Sequence, residues 1–193
     1  MSVAAADPDF ATRLNAFDLA ALVYEDGIAI DRLMVDFARG LAEAGRRVGG
    51  IAQLPPGPAT EPGQVDLIDL MTGDIRPLKQ RLGPGAASCT LDGSALAAAS
   101  TGIRRAVAAQ VDLVVISKFS KQEIAGGGFR AEFAAAVEAG LPVLTSVKRS
   151  QIGGWLAFTG GLGTLLDGRM DILVDWWAET ERRRAKTRHR HVS

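Results

Sequence analysis

Apolar runs alternate with amphipathic stretches along this chain of 193 residues. The clearest example is segment 111–147, in which an apolar run at 111–116 is followed by a polar, glycine-rich loop and a second apolar run at 142–147. Phe129, Phe133 and Val137 recur every four residues, which predicts a helix between the two runs. Strand, loop, helix and strand in this order form the unit that builds parallel sheets.

The same alternation extends over most of the chain. It predicts strands at 19–24 and 48–54, a hairpin of 65–70 and 75–78, and helices from Asp31 to about 44, at 94–109 and at about 170–184. Asp31 is predicted to cap the first helix, in which Leu33, Phe37 and Leu41 lie on one face. The glycine-rich stretch 153–168 precedes the last helix. This order predicts an α/β fold of three layers with a mainly parallel sheet and right-handed crossovers.

The charge distribution divides the chain into unequal parts. We predict a flexible leader at 1–16, a single α/β domain at 17–180 and a basic tail at 181–193. The tail holds six of the 22 basic residues and one of the 22 acidic residues, which leaves 16 basic and 21 acidic residues before it. This balance argues against nucleic acid as a partner of the domain. The tail is interpreted as solvated, with acidic lipid or nucleic acid as alternative partners.

Cysteine usage and hydropathy indicate the compartment. Cys89 is the single cysteine, so the chain cannot form an internal disulfide bond. No apolar stretch approaches the ~18 residues of a membrane span. Asp7 and Asp9 near the N-terminus are not typical of a secretory signal. The sequence therefore predicts a cytoplasmic protein without a membrane partner.

The loop after the run at 111–116 is the strongest candidate for a ligand site, because ligands of parallel sheets bind at the carboxyl ends of the strands. The predicted anion-binding residues are Lys118, Ser120, Lys121, Gly126, Gly127, Gly128 and Arg130. Cations would neutralise an anion, and the glycine N–H groups would bind it near a helix N-terminus. The alternative is a flexible turn with solvated lysines. Glu123 is interpreted as the ion-pair partner of a lysine, with general base and metal ligand as alternatives.

The turn after the first predicted strand argues against ordinary nucleotide hydrolysis. A P-loop needs glycines followed by a lysine and a Ser or Thr. Residues 24–31 contain one glycine, three carboxylates and no lysine. Glu25 and Asp26 are interpreted as solvated acids, with Mg²⁺ ligands as the alternative.

Three further groups are weaker candidates. Ser88 and Cys89 precede a predicted helix, where a thiol is more acidic; a buried, inert cysteine is the favoured interpretation. The two histidines, His189 and His191, lie in the tail and complete no nucleophilic triad. We also predict that Trp176 and Trp177 cannot both face one core, so that one of them covers a partner surface in a homo-oligomer. Trp155 and Phe158 are predicted to be half-exposed.

Several segments resemble a bacterial family known as domain of unknown function 2478. The matching segments are VYEDG, EAGRRVGGIAQ, DLMTGD, SCTLDGSAL and KFSKQEIAGGGFRAEFAAAVEAGLPVLTSV, within about residues 19–160. The family is similar to small P-loop nucleoside-triphosphatases, so the resemblance implies a P-loop-NTPase-like sheet without an intact P-loop. Where those enzymes have a pair of magnesium-binding acids, this chain has Ser117 and Lys118. The association of the family with molybdate-transport genes implies a role with molybdate or tungstate.

Three functional hypotheses follow. The first is a non-catalytic binding protein for a small oxyanion, with molybdate or tungstate as the implied ligand. The second is a metal-dependent, nucleotide-binding hydrolase or phosphotransferase in which Glu25, Asp26 and Glu123 surround a metal ion. The third is a protein-interaction module that has lost its ancestral nucleotide site and binds a partner through Trp176 and Trp177.

Overall fold

A computed structural model of the chain describes residues 18–25, 27–58, 60–61, 64–80, 90–91 and 93–190. The predicted leader and the residues Asp26, Ser88 and Cys89 therefore lie outside the described part of the chain.

A seven-stranded sheet organises the fold. The described strands of the whole chain, including two outside this sheet, are β1 (Leu19–Tyr24), β2 (Val48–Gln53), β3 (Asp66–Asp69), β4 (Ile75–Pro77), β5 (Lys79–Gln80), β6 (Thr90–Leu91), β7 (Leu113–Ile116), β8 (Val143–Lys148) and β9 (Thr164–Asp167). The order in the sheet is β4-β3-β2-β7-β8-β1-β9, and β5 pairs with β6 in a separate ribbon. The pairings among β2, β7, β8, β1 and β9 are parallel, whereas β3 and β4 run antiparallel at one edge.

Helices cover both faces of this sheet. They are α1 (Gly27–Glu43), α2 (Gly93–Ala108), α3 (Lys121–Ile124), α4 (Arg130–Glu138), a 3₁₀ turn (Arg149–Gln151), α5 (Ile152–Thr159) and α6 (Met170–Arg190). On one face, Met34 of α1 and Leu173 of α6 pack with Leu22 of β1. On the other face, Ile103 of α2, Phe133 of α4 and Trp155 of α5 form a second buried cluster. The three-layer α/β fold predicted from the sequence is confirmed.

Two predicted boundaries differ from the structure. Helix α1 begins at Gly27, so Asp31 lies one turn inside the helix and does not cap it. The stretch 153–168, which was given no regular element, contains most of α5 and all of β9. The predicted hairpin and the strands β1, β2, β7 and β8 agree with the structure to within two residues.

The backbone of residues 181–190 continues helix α6. A guanidinium nitrogen of Arg183 lies 2.8 Å from Oδ1 of Asp18, directly before β1. Arg184 donates a hydrogen bond to the backbone carbonyl of Gly140 at 2.6 Å. These contacts hold the first half of the basic segment against the body of the domain.

The prediction for the tryptophans is wrong. Trp176 and Trp177 are each 6% exposed and belong to the same buried cluster, with ring centroids 6.2 Å apart. With Leu173 and Thr180 they follow the i, i+3, i+4, i+7 pattern of one buried helix face. Trp155 is also fully buried, against the ring of Phe119. The predicted partner surface is therefore part of the core.

Membrane insertion finds no support in the helices. Among the described residues, no helix combines the length and the apolar composition that crossing a bilayer requires.

Candidate anion site at the carboxyl edge of the sheet

The carboxyl ends of β1, β7 and β8 lie side by side in the middle of the sheet. Tyr24 ends β1, Ser117 and Lys118 follow β7, and Ser146 lies near the end of β8. The peptide bond between Ser117 and Lys118 is cis. Helix α1 follows β1 closely and covers this edge, so its first two turns face the ends of the strands.

A buried ion pair joins α1 to β7 at this edge. The ammonium nitrogen of Lys118 lies 3.0 Å from Oδ1 and 3.1 Å from Oδ2 of Asp31. Only the contact with Oδ2 has the geometry of a hydrogen bond, and Oδ1 is buried without one among the described residues. The Asp31 side chain is 2% exposed and that of Lys118 is 14% exposed. Lys118 is thus the partner that solvent or a ligand can reach.

Burial dominates the electrostatics of the pair. Desolvation raises the pKa of Asp31 to about 6, although the positive charge and hydrogen bond of Lys118 act in the opposite direction. Burial and the neighbouring Asp31 carboxylate also raise the pKa of Tyr24. The ammonium group of Lys118 lies 4.9 Å from the centroid of the Tyr24 ring, at cation–π distance. Near neutral pH, the site therefore holds an internal ion pair that loses its negative charge under mildly acidic conditions.

Two buried hydroxyl groups near the pair lack partners. Ser117 Oγ and Ser146 Oγ are buried and make no hydrogen bond within the described part of the chain. Strand alternation places both side chains on the α1 face, because the preceding Val115 and Leu144 pack against that helix layer. Buried hydroxyls are normally hydrogen-bonded, so these two groups at one edge are candidate donors to a ligand or to ordered water.

The predicted anion loop already contains an anion, the carboxylate of Glu123. Glu123 is 2% exposed. Its Oε2 accepts hydrogen bonds from the backbone N–H and the hydroxyl of Ser120, each at 2.8 Å, and its Oε1 accepts one from the N–H of Phe129 at 3.0 Å. Ser120 and Glu123 form a capping box for α3. The structure thus pairs Glu123 with loop donors and not with the lysine that we predicted.

Two of the three glycines of this loop use their N–H groups at the end of a helix. The N–H groups of Gly126 and Gly127 donate to the backbone carbonyls of Glu123 and Gln122. Gly128 has a φ of +60°, and a β-carbon there would overlap Oε1 of Glu123. The glycine run therefore gives the chain the conformation that wraps the Glu123 carboxylate.

The predicted cations do not meet at one point. The Arg130 guanidinium lies 4.7 Å from the Phe158 ring centroid and donates to the carbonyl of Glu123 at 2.9 Å, on the α5 face of the sheet. Lys118 contacts Asp31 and Tyr24 on the α1 face. Lys121 is exposed at the start of α3. Of the predicted cations, Lys118 alone lies at the edge formed by β1, β7 and β8.

The acids of the alternative metal site are also apart. Glu25 is 69% exposed and forms an ion pair with Arg149, whereas Glu123 is enclosed by its loop. No group of three or more His, Cys, Asp or Glu side chains suitable for a metal ion occurs among the described residues.

Asp31 should make the stability of the protein depend on pH. Because the pKa rises from 3.8 to about 6 on folding, the folded state retains a proton that the unfolded chain releases. The free energy of unfolding should therefore fall by about 3 kcal/mol as the pH rises from roughly 4 to 6. Urea unfolding over this range should show a flatter pH profile for Asp31→Asn than for the wild type. Asp36→Asn, an exposed position on the same helix, is the control; parallel profiles for all three proteins would contradict the assignment.

The sheet order and the helices on both faces define a P-loop-NTPase-like fold. The structure of the human cancer-related nucleoside triphosphatase has 15% sequence identity and a TM-score of 0.57, over 77% of this chain and 87% of that one. THEP1 from Aquifex aeolicus has 12% identity and a TM-score of 0.54, over 77% and 88%. At these identities the likeness concerns the fold alone.

The chain belongs to the family described as "Protein of unknown function (DUF2478)", which matches residues 19–176. It is also 43% identical over 185 residues to the protein named Molybdenum import ATP-binding protein ModC 2 of Bradyrhizobium diazoefficiens. This match covers 95% of the chain but spans only 20% of the length of that relative.

Proposed function

We propose that the protein is a non-catalytic binding protein for a tetrahedral oxyanion of the molybdate and tungstate type, with a role in molybdenum metabolism. The observation that carries the proposal is the partly exposed Lys118 at the carboxyl edge of the sheet, where the hydroxyls of Ser117 and Ser146 have no hydrogen-bond partner among the described residues. An ammonium group and hydroxyl donors are the groups that bind the oxygens of such an anion.

The named relative supports the metabolic context of the proposal. Its name refers to molybdenum import, and the matched region includes almost all of this chain. The same name refers to ATP binding, and the chain spans one fifth of that protein, so neither property is established for this chain by the match. Molybdate-type anions are preferred over ATP here because Lys118 lies at the strand ends and residues 24–31 contain no P-loop lysine.

Nucleotide binding is the second candidate, and the P-loop-NTPase-like fold is the observation that favours it. The chemistry of hydrolysis has less support. Residues 24–31 contain no lysine, and the lysine that the structure places at this edge, Lys118, is paired with Asp31. Glu25 and Glu123 do not converge. Homo-oligomer formation and cytoplasmic location stay predictions from the sequence.

Isothermal titration calorimetry with molybdate, tungstate, sulfate and phosphate at about pH 6 tests the proposal. We expect binding of at least one of them, weakened about ten- to a hundredfold in Lys118→Met, because a charge-assisted hydrogen bond is lost. Lys121→Met removes an exposed lysine from the predicted loop and is the matched control. Titration with ATP and Mg²⁺ tests the second candidate. Flat isotherms for all four anions, or equal losses in both variants, would refute the anion site at Lys118.

A further inference from the structure

Asp31 occupies an unusual position for a carboxylate. It lies on the buried stripe of α1, in line with Met34, Val35 and Ala38 at the i+3, i+4 and i+7 positions. Its contact with Lys118 is the only ion pair or hydrogen bond of this carboxylate that the described residues show, and one of its oxygens makes no hydrogen bond among them. A buried carboxylate with a single counter-ion is poorly stabilised compared with one enclosed by several donors, such as Glu123.

The charge balance of the pair limits which anions can enter. Asp31 and Lys118 together carry no net charge while the carboxylate is ionised. A dianion that approached Lys118 would meet the Asp31 carboxylate within the same poorly solvated space, where like charges repel strongly. Protonation of Asp31 removes that repulsion and gives the site a net positive charge. It also turns the carboxyl group into a hydrogen-bond donor.

The other buried acids among the described residues, Asp69, Glu123 and Glu132, lie away from this pair and accept hydrogen bonds from their own neighbours. Tyr24 of β1 faces Asp31 and remains neutral, because burial raises its pKa. Ala52 of β2 and Trp176 of α6 belong to the same buried apolar cluster as the inner face of α1. The remaining charged groups that the structure describes at this edge are exposed: Glu25, Arg32, Lys148, Arg149, Asp167 and Arg169. A proton taken up on ligand binding is therefore expected at Asp31.

We infer that Asp31 is the resident counter-ion of Lys118 and that an oxyanion takes its place by binding together with one proton, which Asp31 accepts from solvent. Asp31 then sets the pH range in which the site binds the anion. The inference rests on the proposed function, since it describes how the same site admits its ligand. The anion becomes the new partner of Lys118, and the neutral carboxyl group donates to one of the anion oxygens.

The test is calorimetry of the wild type and of Asp31→Asn with sulfate and tungstate, which carry no proton near neutral pH. Between about pH 6.5 and pH 8, wild-type affinity should fall about tenfold per pH unit, the slope for linkage to one proton. Titration in two buffers of different ionisation enthalpy should give close to one proton taken up per anion. Asp31→Asn should bind independently of pH, without proton uptake, and at least about tenfold more tightly than the wild type at pH 8. Asp36→Asn should behave as the wild type.

The outcomes separate the two proposals. Wild-type binding with no proton uptake and a flat pH profile overturns the inference while the anion site stands. Weaker binding by a folded Asp31→Asn variant at pH 8 overturns it as well. Absence of binding by both proteins at every pH refutes the proposed function and the inference together. The number of protons that the wild type takes up per bound anion tests the inference even where Asp31→Asn fails to fold.

Discussion

Replacement of Gly50 by alanine should destabilise the protein by about 4 kcal/mol or more, which is a large part of the stability of an ordinary domain. Gly50 lies in β2 with a φ of +98°, a conformation that alanine rarely adopts. A β-carbon at this position would overlap the backbone carbonyl oxygen of Val115 in β7. Relief would require β2 and β7 to separate at the centre of the parallel sheet, where Gly50 is in register with Val115.

Gly45→Ala is the matched control for this effect. Gly45 follows α1 with a φ of +81°, but no atom lies within 4 Å of the position of a β-carbon. Its replacement should cost about 1 kcal/mol, the conformational term alone. Urea unfolding of the two variants separates the steric term from the conformational one. Similar losses for both would show that β2 and β7 do not approach as closely as the structure places them.

Strands β1, β2, β7 and β8 were predictable because each is a short, mainly apolar run between polar or glycine-containing loops. Helix α5 was not, since its sequence IGGWLAFT contains two adjacent glycines that argue against a helix. The structure gives a tertiary reason for one of them. A β-carbon at Gly154 would overlap the Ile124 side chain of α3, so glycine allows these two helices to pack closely. Such contacts are not visible in a local pattern.

The position of Lys118 was predictable from its place at a strand end, but its partner was missed. The sequence interpretation started the first helix at Asp31 and therefore treated this residue as a cap. Because the helix begins at Gly27, Asp31 lies one turn inside it and faces the sheet. The signal was present, since Asp31 shares the apolar stripe of Met34, Val35 and Ala38. An acid on an apolar helix stripe indicates either a buried ion pair or a functional group.

The interpretation of Glu123 erred for a related reason. Its spacing from Ser120 is that of a capping box, S-x-x-E, which the sequence analysis left unused in favour of a pairing with lysine. The second contact, from the N–H of Phe129, depends on the path of the glycine run and could not be read from spacing. The Glu123 carboxylate therefore stabilises the loop that encloses it, through its hydrogen bonds to Ser120 and Phe129.

Replacement of Glu123 by alanine should reduce the free energy of unfolding by about 3 kcal/mol, because two part-buried donors of Ser120 and the buried N–H of Phe129 lose their acceptor. Formate should raise the unfolding midpoint of this variant and leave the wild type unchanged, since a small carboxylate fits the emptied position. Glu138→Ala, at an exposed position of α4, is the control and should change stability little. Oxyanion affinity at Lys118 should survive in Glu123→Ala, because the two sites lie on opposite faces of the sheet. Lost binding of anion or nucleotide with unchanged stability would instead favour Glu123 as a ligand-binding or catalytic group.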